Sequence, residues 1–317
     1  MGIDAHALHL LTHAHRKYGA FGRVVTLGRQ AIHLGPADTR QWSNPRDVYC
    51  ETLLSQHFGA STVDSIDNSS YEQASLVADM NHPVPASLVG AFDTVIDFGC
   101  LEHIFDVAQS IRNVADMCSP GGRILHLLPA NGFCGHGFYQ FSPELFFSSY
   151  SPKNGYQDTE LYFADLLDSR HWYRITAPAN GERINIRSSH EIYLVVLARH
   201  MASRSNVVQQ SDYEYAWTEP SSNSPTVRRF GLLASVRESA LRFNLAARIV
   251  RAMDSRFTTR VPHTLRRHPS LTRVSAGRPW VLESCCTPQG VGGPAAIFDP
   301  VVACFSGWQL APAYKYS

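Results

Sequence analysis

Between residues 21 and 198, short apolar runs alternate with helical patterns. Arg23-Val24-Val25-Thr26-Leu27-Gly28 is an apolar run ending in glycine. Residues 61–66 form a second run, closed by Asp67, and residues 74–78 a third, closed by Asp79. Residues 92–96 are closed by Asp97-Phe98-Gly99, and residues 123–128 by Pro129. Residues 158–164 and 192–198 add two more, with a polar insertion between them. None alternates strictly between apolar and polar, the pattern of strands covered on both faces. Residues 45–58 read as a helix, and a short one follows Pro143. The strongest helical pattern is Ile104, Val107, Ala108, Ile111, Val114, Ala115 and Cys118, one continuous apolar stripe. Glu102 falls in its first turn, where negative charge suits the helix dipole, and Pro120-Gly121-Gly122 ends it. The βαβ alternation predicts an α/β fold: a Rossmann-like, doubly wound, mostly parallel sheet with helices on both faces.

Residues 1–20 also read as a helix, with Ala7, Leu10, Leu11 and Ala14 at helical spacing. His6, His9, His13 and His15 are interleaved with them. Histidines four apart on a helix can bind a metal. No carboxylate or cysteine joins these, so a polar helix face is expected and no metal site is predicted. Residues 201–225 are rich in Ser, Asn, Gln and Pro and read as a linker. Residues 226–253 read as a helix with a stripe from Leu233 to Val250, and the chain from Asp254 onward shows no periodicity. The predicted division is a Rossmann-like domain over 1–200, a linker over 201–225, and a helical, loosely structured basic segment over 226–317.

The chain has 317 residues, 44% of them hydrophobic and 17% charged, enough apolar side chain to build a core and exclude global disorder. No apolar run is long enough to span a membrane, and the N-terminal residues lack the charged-then-apolar pattern of a secretory signal. A cytoplasmic protein is expected. Seven scattered cysteines with no CxxC pair argue against a disulfide framework or a structural zinc. The net charge of +1 hides an asymmetry. Residues 226–278 carry twelve arginines against Glu238 and Asp254. Such a stretch can neutralise phosphates, but it has no nucleic-acid-binding motif and little aromatic interleaving, so a solvated surface is expected.

In an open parallel sheet, ligands bind outside the carboxyl ends of the strands, at the point where strand order reverses. Here those ends carry Gly28, Asp67, Asp79, Asp97-Phe98-Gly99 and Pro129-Ala130-Asn131. An acid after the second strand is placed to accept from ribose hydroxyls, and one after the third from an adenine amino group. Each can equally be a turn or helix cap.

The run FDTVIDFGCLEHIFDVAQSIRNVADMCSPGGRILHLLP resembles the fourth strand, helix and fifth strand of class I S-adenosylmethionine-dependent methyltransferases, particularly the type-11 group. Leu101-Glu102-His103 and Pro120-Gly121-Gly122 carry the resemblance, which covers roughly residues 21–198. It implies S-adenosylmethionine as cofactor, held by Gly28, Arg29, Asp67, Asp79, Met80, Gly99, Cys100, Leu101 and Glu102. It also implies methyl transfer to a small-molecule or sugar-containing acceptor, held by Asn131, Tyr139, Gln140 and Glu144 in the loop after the fifth strand and just beyond it.

One departure stands out. The family's first loop is Gly-x-Gly-x-Gly, whereas this chain has Leu27-Gly28-Arg29-Gln30-Ala31-Ile32-His33. Arg29 either pairs with the methionine carboxylate of the cofactor or faces solvent. Methyl transfer needs alignment and, for a hydroxyl acceptor, a base. His103 and His136 are the candidates for that base; the alternatives are a positioning residue at a helix start and a loop-packing residue. The rival functional reading is a non-catalytic partner or scaffold that keeps the fold and has lost the cofactor loop.

Overall fold

The computed structural model describes residues 2–35, 42, 47–179, 183, 184, 186, 188, 190–202, 208–211, 215 and 270–275. The helix predicted over 226–253 lies outside these residues. The described elements are α1 (Ala5–Tyr18), β1 (Gly22–Leu27), α2 (Glu51–Phe58), β2 (Ala60–Asp67), β3 (Leu76–Val77), β4 (Phe92–Asp97), α3 (Val107–Met117), β5 (Cys118–Asn131), α4 (Pro143–Ser149), β6 (Tyr156–Asp165), β7 (His171–Ile175), β8 (Ile192–His200) and β9 (Leu271–Ser275).

The strands form one sheet in the order β3-β2-β1-β4-β5-β8-β6-β7-β9. The first five are parallel, in the 3-2-1-4-5 order of a Rossmann-like half, with the order reversing between β1 and β4. From β5 onward every pairing is antiparallel, so the sheet is mixed rather than mostly parallel. Two strands in it have no counterpart in the sequence reading. β7 lies in the predicted polar insertion, and β9 lies in the segment read as loosely structured. Both are only five residues long; β9 closes the edge of the sheet, where one exposed face needs few apolar residues, and β7 lies between β6 and β9.

Alternate residues of the central strands enter cores on opposite faces. Val25, Val95, Ile124 and Val196 face the side of α3 and α4, with Val114, Met117 and Phe146. Val24, Ile96, Leu125 and Leu197 face the side of α1 and α2, with Leu8, Leu11 and Leu54. That is why their sequence runs are continuously apolar. Among the described residues no helix is long and apolar enough to cross a membrane.

Three local readings change. The stripe predicted from Ile104 begins as a helix only at Val107, because Asp106 caps it through its carboxylate and Gln109 N–H, 2.9 Å. Glu102 therefore sits before the helix, in a one-turn 3-10 segment of Leu101–His103. Pro120-Gly121-Gly122 is not a helix stop, since β5 starts at Cys118 and runs through it. Two of the four α1 histidines are also not on a polar face. His6 and His9 are buried against the sheet, where the Trp172 indole N–H donates to His6 Nδ1 at 3.1 Å. Burial pushes the His9 imidazole down to about 4, so it packs as a neutral ring.

Candidate active site

The carboxyl ends of the parallel strands gather most of the predicted residues. Gly28 leaves β1 at φ +66°, and a Cβ there would lie in van der Waals contact with Gln30 Nε2, at 3.8 Å, and Asp67 Oδ2, at 3.9 Å. Asp67, at the end of β2, uses its other oxygen to accept from Ser69 N–H at 3.0 Å. A glycine cradle and a carboxylate oxygen thus face each other across the reversal point. Arg29 points elsewhere: its guanidinium donates to Glu51 at 2.6 Å and to the Glu72 carbonyl, and lies 4.0 Å over the Tyr49 ring.

The loop after β1 does not open a helix. Ala31 and Ile32 are extended, with Ile32 bridged to Ile3 and Ala31 to Tyr49. Gly2 is pressed so closely on this loop that a side chain there would meet the Ala31 carbonyl. The lost glycines of the sequence pattern therefore coincide with a loop held by the N-terminal residues.

Asp79 is exposed and caps its own turn, accepting from Asn81 N–H at 2.9 Å and Asn81 Nδ2 at 2.7 Å. These hydrogen bonds hold its carboxyl below the ordinary range. Met80 is buried, and its carbonyl accepts from Ser110 and Asn113 of α3.

At the end of β4, Asp97 is fully buried and organises the next turn. Its Oδ1 accepts from Cys100 N–H at 2.9 Å and Leu101 N–H at 3.4 Å, across Gly99 at φ +91°. Its Oδ2 meets His126 Nδ1 at 2.7 Å, and His126 Nε2 meets the Tyr150 hydroxyl at 2.7 Å. The sequence reading took Asp97 as a strand end and did not single out His126. The available signal was a polar residue inside each of two runs otherwise expected to be buried.

The turn ends in a cluster. Glu102 is fully buried, and neither carboxylate oxygen receives a hydrogen bond. Burial, with the charge of Asp97, pushes its carboxyl up to about 8. His103 Nε2 lies 3.8 Å from Glu102 Oε1, and His136 Nε2 lies 3.6 Å from it. Burial pushes both imidazoles down. His136 reaches this place because its loop docks on the turn: Phe138 N–H donates to the Glu102 carbonyl at 2.7 Å. Gly137, at φ +126°, allows that approach, since a side chain there would come within 2.8 Å of the same carbonyl.

The predicted acceptor residues are dispersed. The Tyr139 hydroxyl donates to the Phe105 carbonyl at 2.6 Å, tying the loop to the segment after His103. Gln140 accepts from Phe133 N–H within the loop. Asn131, at the end of β5, donates to the Ser188 carbonyl at 3.5 Å. Glu144, in the first turn of α4, accepts from Ser211 N–H at 2.6 Å and from the Ser148 hydroxyl.

No family model matches the sequence, and no curated protein matches it. Solved structures do. TehB from Haemophilus influenzae is 15% identical over 60% of this chain and 61% of its own, with a TM-score of 0.36. The N-methyltransferase NodS from Bradyrhizobium japonicum, in complex with S-adenosylhomocysteine, is 13% identical over 61% of this chain and 85% of its own, with a TM-score of 0.35. The 1,6-didemethyltoxoflavin-N1-methyltransferase from Burkholderia thailandensis, with its substrate and S-adenosylhomocysteine bound, is 13% identical over 62% of this chain and 80% of its own, with a TM-score of 0.34. The chain thus spans less than two thirds of TehB.

Proposed function

We propose that this protein transfers a methyl group from S-adenosylmethionine to a small-molecule or sugar-containing acceptor. The observation that carries the reading is the opposition of Gly28 and Asp67 at the reversal point of the parallel strands. A carboxylate oxygen with no donor of its own, across from a position without a Cβ, fits a ribose diol. The backbone turn from Gly99 to Leu101, fixed by Asp97, forms the adjacent wall.

When bound, S-adenosylmethionine supplies an already activated methyl group, so the protein's part is alignment, shielding and the acceptor's proton. The loop carrying Phe133 to Gln140 covers the turn after β4 and offers exposed Phe138 and half-buried Tyr139 to an acceptor. His103 and His136, held neutral by burial, present Nε2 atoms that can take a proton. In this reading Arg29, held by Glu51 and Tyr49, shapes the wall and does not bind the cofactor's carboxylate.

One observation favours the rival, a fold that has lost its cofactor: the loop after β1 is extended and bridged to Ile3. Calorimetric titration of the folded protein with S-adenosylhomocysteine separates the two. Binding with a raised melting temperature is expected, because a ligand taken up only by the folded state stabilises it. No heat and no thermal shift at millimolar ligand would leave the non-catalytic partner as the reading.

A further inference from the structure

We infer that Glu102, His103 and His136 form a binding site for one divalent transition-metal ion. The three donor atoms lie within 4.8 Å of one another. Glu102 Oε1 stands 3.8 Å from His103 Nε2 and 3.6 Å from His136 Nε2. Ligands on one zinc-like ion, each bonded at about 2.1 Å, stand roughly 3.0–3.4 Å apart. The two Glu102 separations need to close by only a few tenths of an ångström, and the two imidazole nitrogens, within 4.8 Å of each other, by rotation of their side chains.

The second observation is electrostatic. The carboxylate is fully buried and has no hydrogen-bond donor on either oxygen. A buried carboxylate in that state is costly unless a cation offsets it or it holds a proton that a binding ion would displace. No cationic side chain of the described residues pairs with it. Its two neighbours are imidazole nitrogens beyond hydrogen-bond distance, and His136 Nε2 is itself buried and unpartnered. The nearby Asp97 carboxylate adds further negative charge. Three electron-pair donors thus converge with nothing to receive them.

The chain spends local structure on this convergence. Gly137 and the Phe138-to-Glu102 hydrogen bond press the loop after β5 onto the turn after β4. Without them His136 would not reach Glu102. Both imidazoles are partly exposed, at 49% and 39% of the side chain, so an ion has a path from solvent.

Two imidazole nitrogens and one carboxylate oxygen suit Zn²⁺, Fe²⁺, Co²⁺ or Ni²⁺, whereas Mg²⁺ and Ca²⁺ favour all-oxygen sites. Three protein ligands leave positions open for water or an acceptor oxygen. An acceptor hydroxyl beside such an ion is a stronger acid and could lose its proton to solvent water, since the two imidazole nitrogens bound to the ion could no longer take it. Binding of the ion does not depend on the methyl-transfer reading.

The test uses the full chain stripped with a chelator, then titrated with Co²⁺ and followed by its visible absorption bands, with Zn²⁺ as competitor. One tightly bound equivalent is expected. Glu102→Gln and His136→Ala should each weaken it at least tenfold, and His82→Ala, at an exposed histidine outside the cluster, should not. Circular dichroism checks each variant's fold; Glu102→Gln is isosteric and His136 lies in a loop, so either alone decides the matter. Absence of the bands in folded wild type, or equal affinity in both ligand variants, would overturn the site. The S-adenosylhomocysteine titration is run without metal, so its failure would bear on methyl transfer alone.

Discussion

The Asp97 carboxylate and the His126 imidazole are direct register partners on β4 and β5, and Asp97 Oδ2 meets His126 Nδ1 at 2.7 Å with both side chains fully buried. The pair joins the fold to the site. One carboxylate oxygen anchors His126 and, through it, Tyr150 beyond α4; the other holds the backbone turn that leads to Glu102. Removing either partner leaves a buried polar group without its mate, which costs more than the intact pair contributes.

Asp97→Ala is therefore expected to lower stability by about 3–5 kcal/mol, in the range for breaking a buried pair. Tyr150→Phe removes only the hydroxyl at the far end and should cost about 1–3 kcal/mol, the price of one unsatisfied buried nitrogen. Urea unfolding of both variants measures this. Equal losses would mean that the chain of three does not act in that order.

Asp67→Ala should weaken S-adenosylhomocysteine binding by about 1.5–3 kcal/mol, the range for hydrogen bonds to a charged group. Its loss to stability should be small, because among the described residues the one hydrogen bond to this carboxylate is the Ser69 turn bond. Calorimetry on wild type and variant decides it. Unchanged affinity would remove the ribose assignment.

His9 makes the fold sensitive to mild acid. Its imidazole is buried, has no partner on either nitrogen, and is pushed down to about 4. The unfolded chain takes up a proton near pH 6.5 and the folded chain only near 4. Between those values the unfolded state holds more protons, so stability falls as pH drops from about 6.5 to about 4, by on the order of 3 kcal/mol. His9→Leu should flatten that part of the stability–pH curve and leave the chain more stable at pH 5. A curve unchanged by the substitution would assign the acid sensitivity elsewhere.

Gly137→Ala should detach the loop. The new methyl group would sit 2.8 Å from the Glu102 carbonyl, at a φ of +126° that side chains rarely adopt. A cost of about 1–3 kcal/mol is expected from that strain. Loop cleavage by protease at Phe133–Phe138 should quicken, and Co²⁺ affinity should fall. Unaltered proteolysis would show that the loop tolerates the side chain.

The boundary expected after residue 200 would have to fall beyond residue 211 at least. Gln209 accepts from the Ser148 hydroxyl and Ser211 donates to Glu144, so these residues belong with the sheet. A chain of residues 1–211 is expected to unfold cooperatively and to keep its affinity for S-adenosylhomocysteine. It loses β9 and exposes the edge of β7, so a lower melting temperature and some self-association are expected. An insoluble or molten product would place the missing segment in the core.

Strands β1, β4 and β5, with α1 and α3, were legible in the chain because burial on two faces writes itself as continuous apolar runs, and burial on one helix face as a stripe. Gly28, Asp67 and Asp97 were legible as strand ends for the same reason: a run stops where the sheet stops. Strands β7 and β9 were not, because a five-residue strand at or next to the sheet edge is defined by its partners' hydrogen bonds more than by its own side chains. The burial of His6 and His9 was hidden as well, since a neutral imidazole against Trp172 and Tyr193 packs like an aromatic ring while its letter reads as polar. The meeting of Glu102 with His136 was decided only by tertiary structure. The two residues are far apart in sequence and on different loops, and what brings them together is the docking of the second loop through the Phe138 N–H and the Tyr139 hydroxyl, with the missing side chain of Gly137. Local pattern fixes which residues prefer burial; which loops then touch depends on parallel β4 and β5 ending side by side, a relation that no stretch of either strand contains.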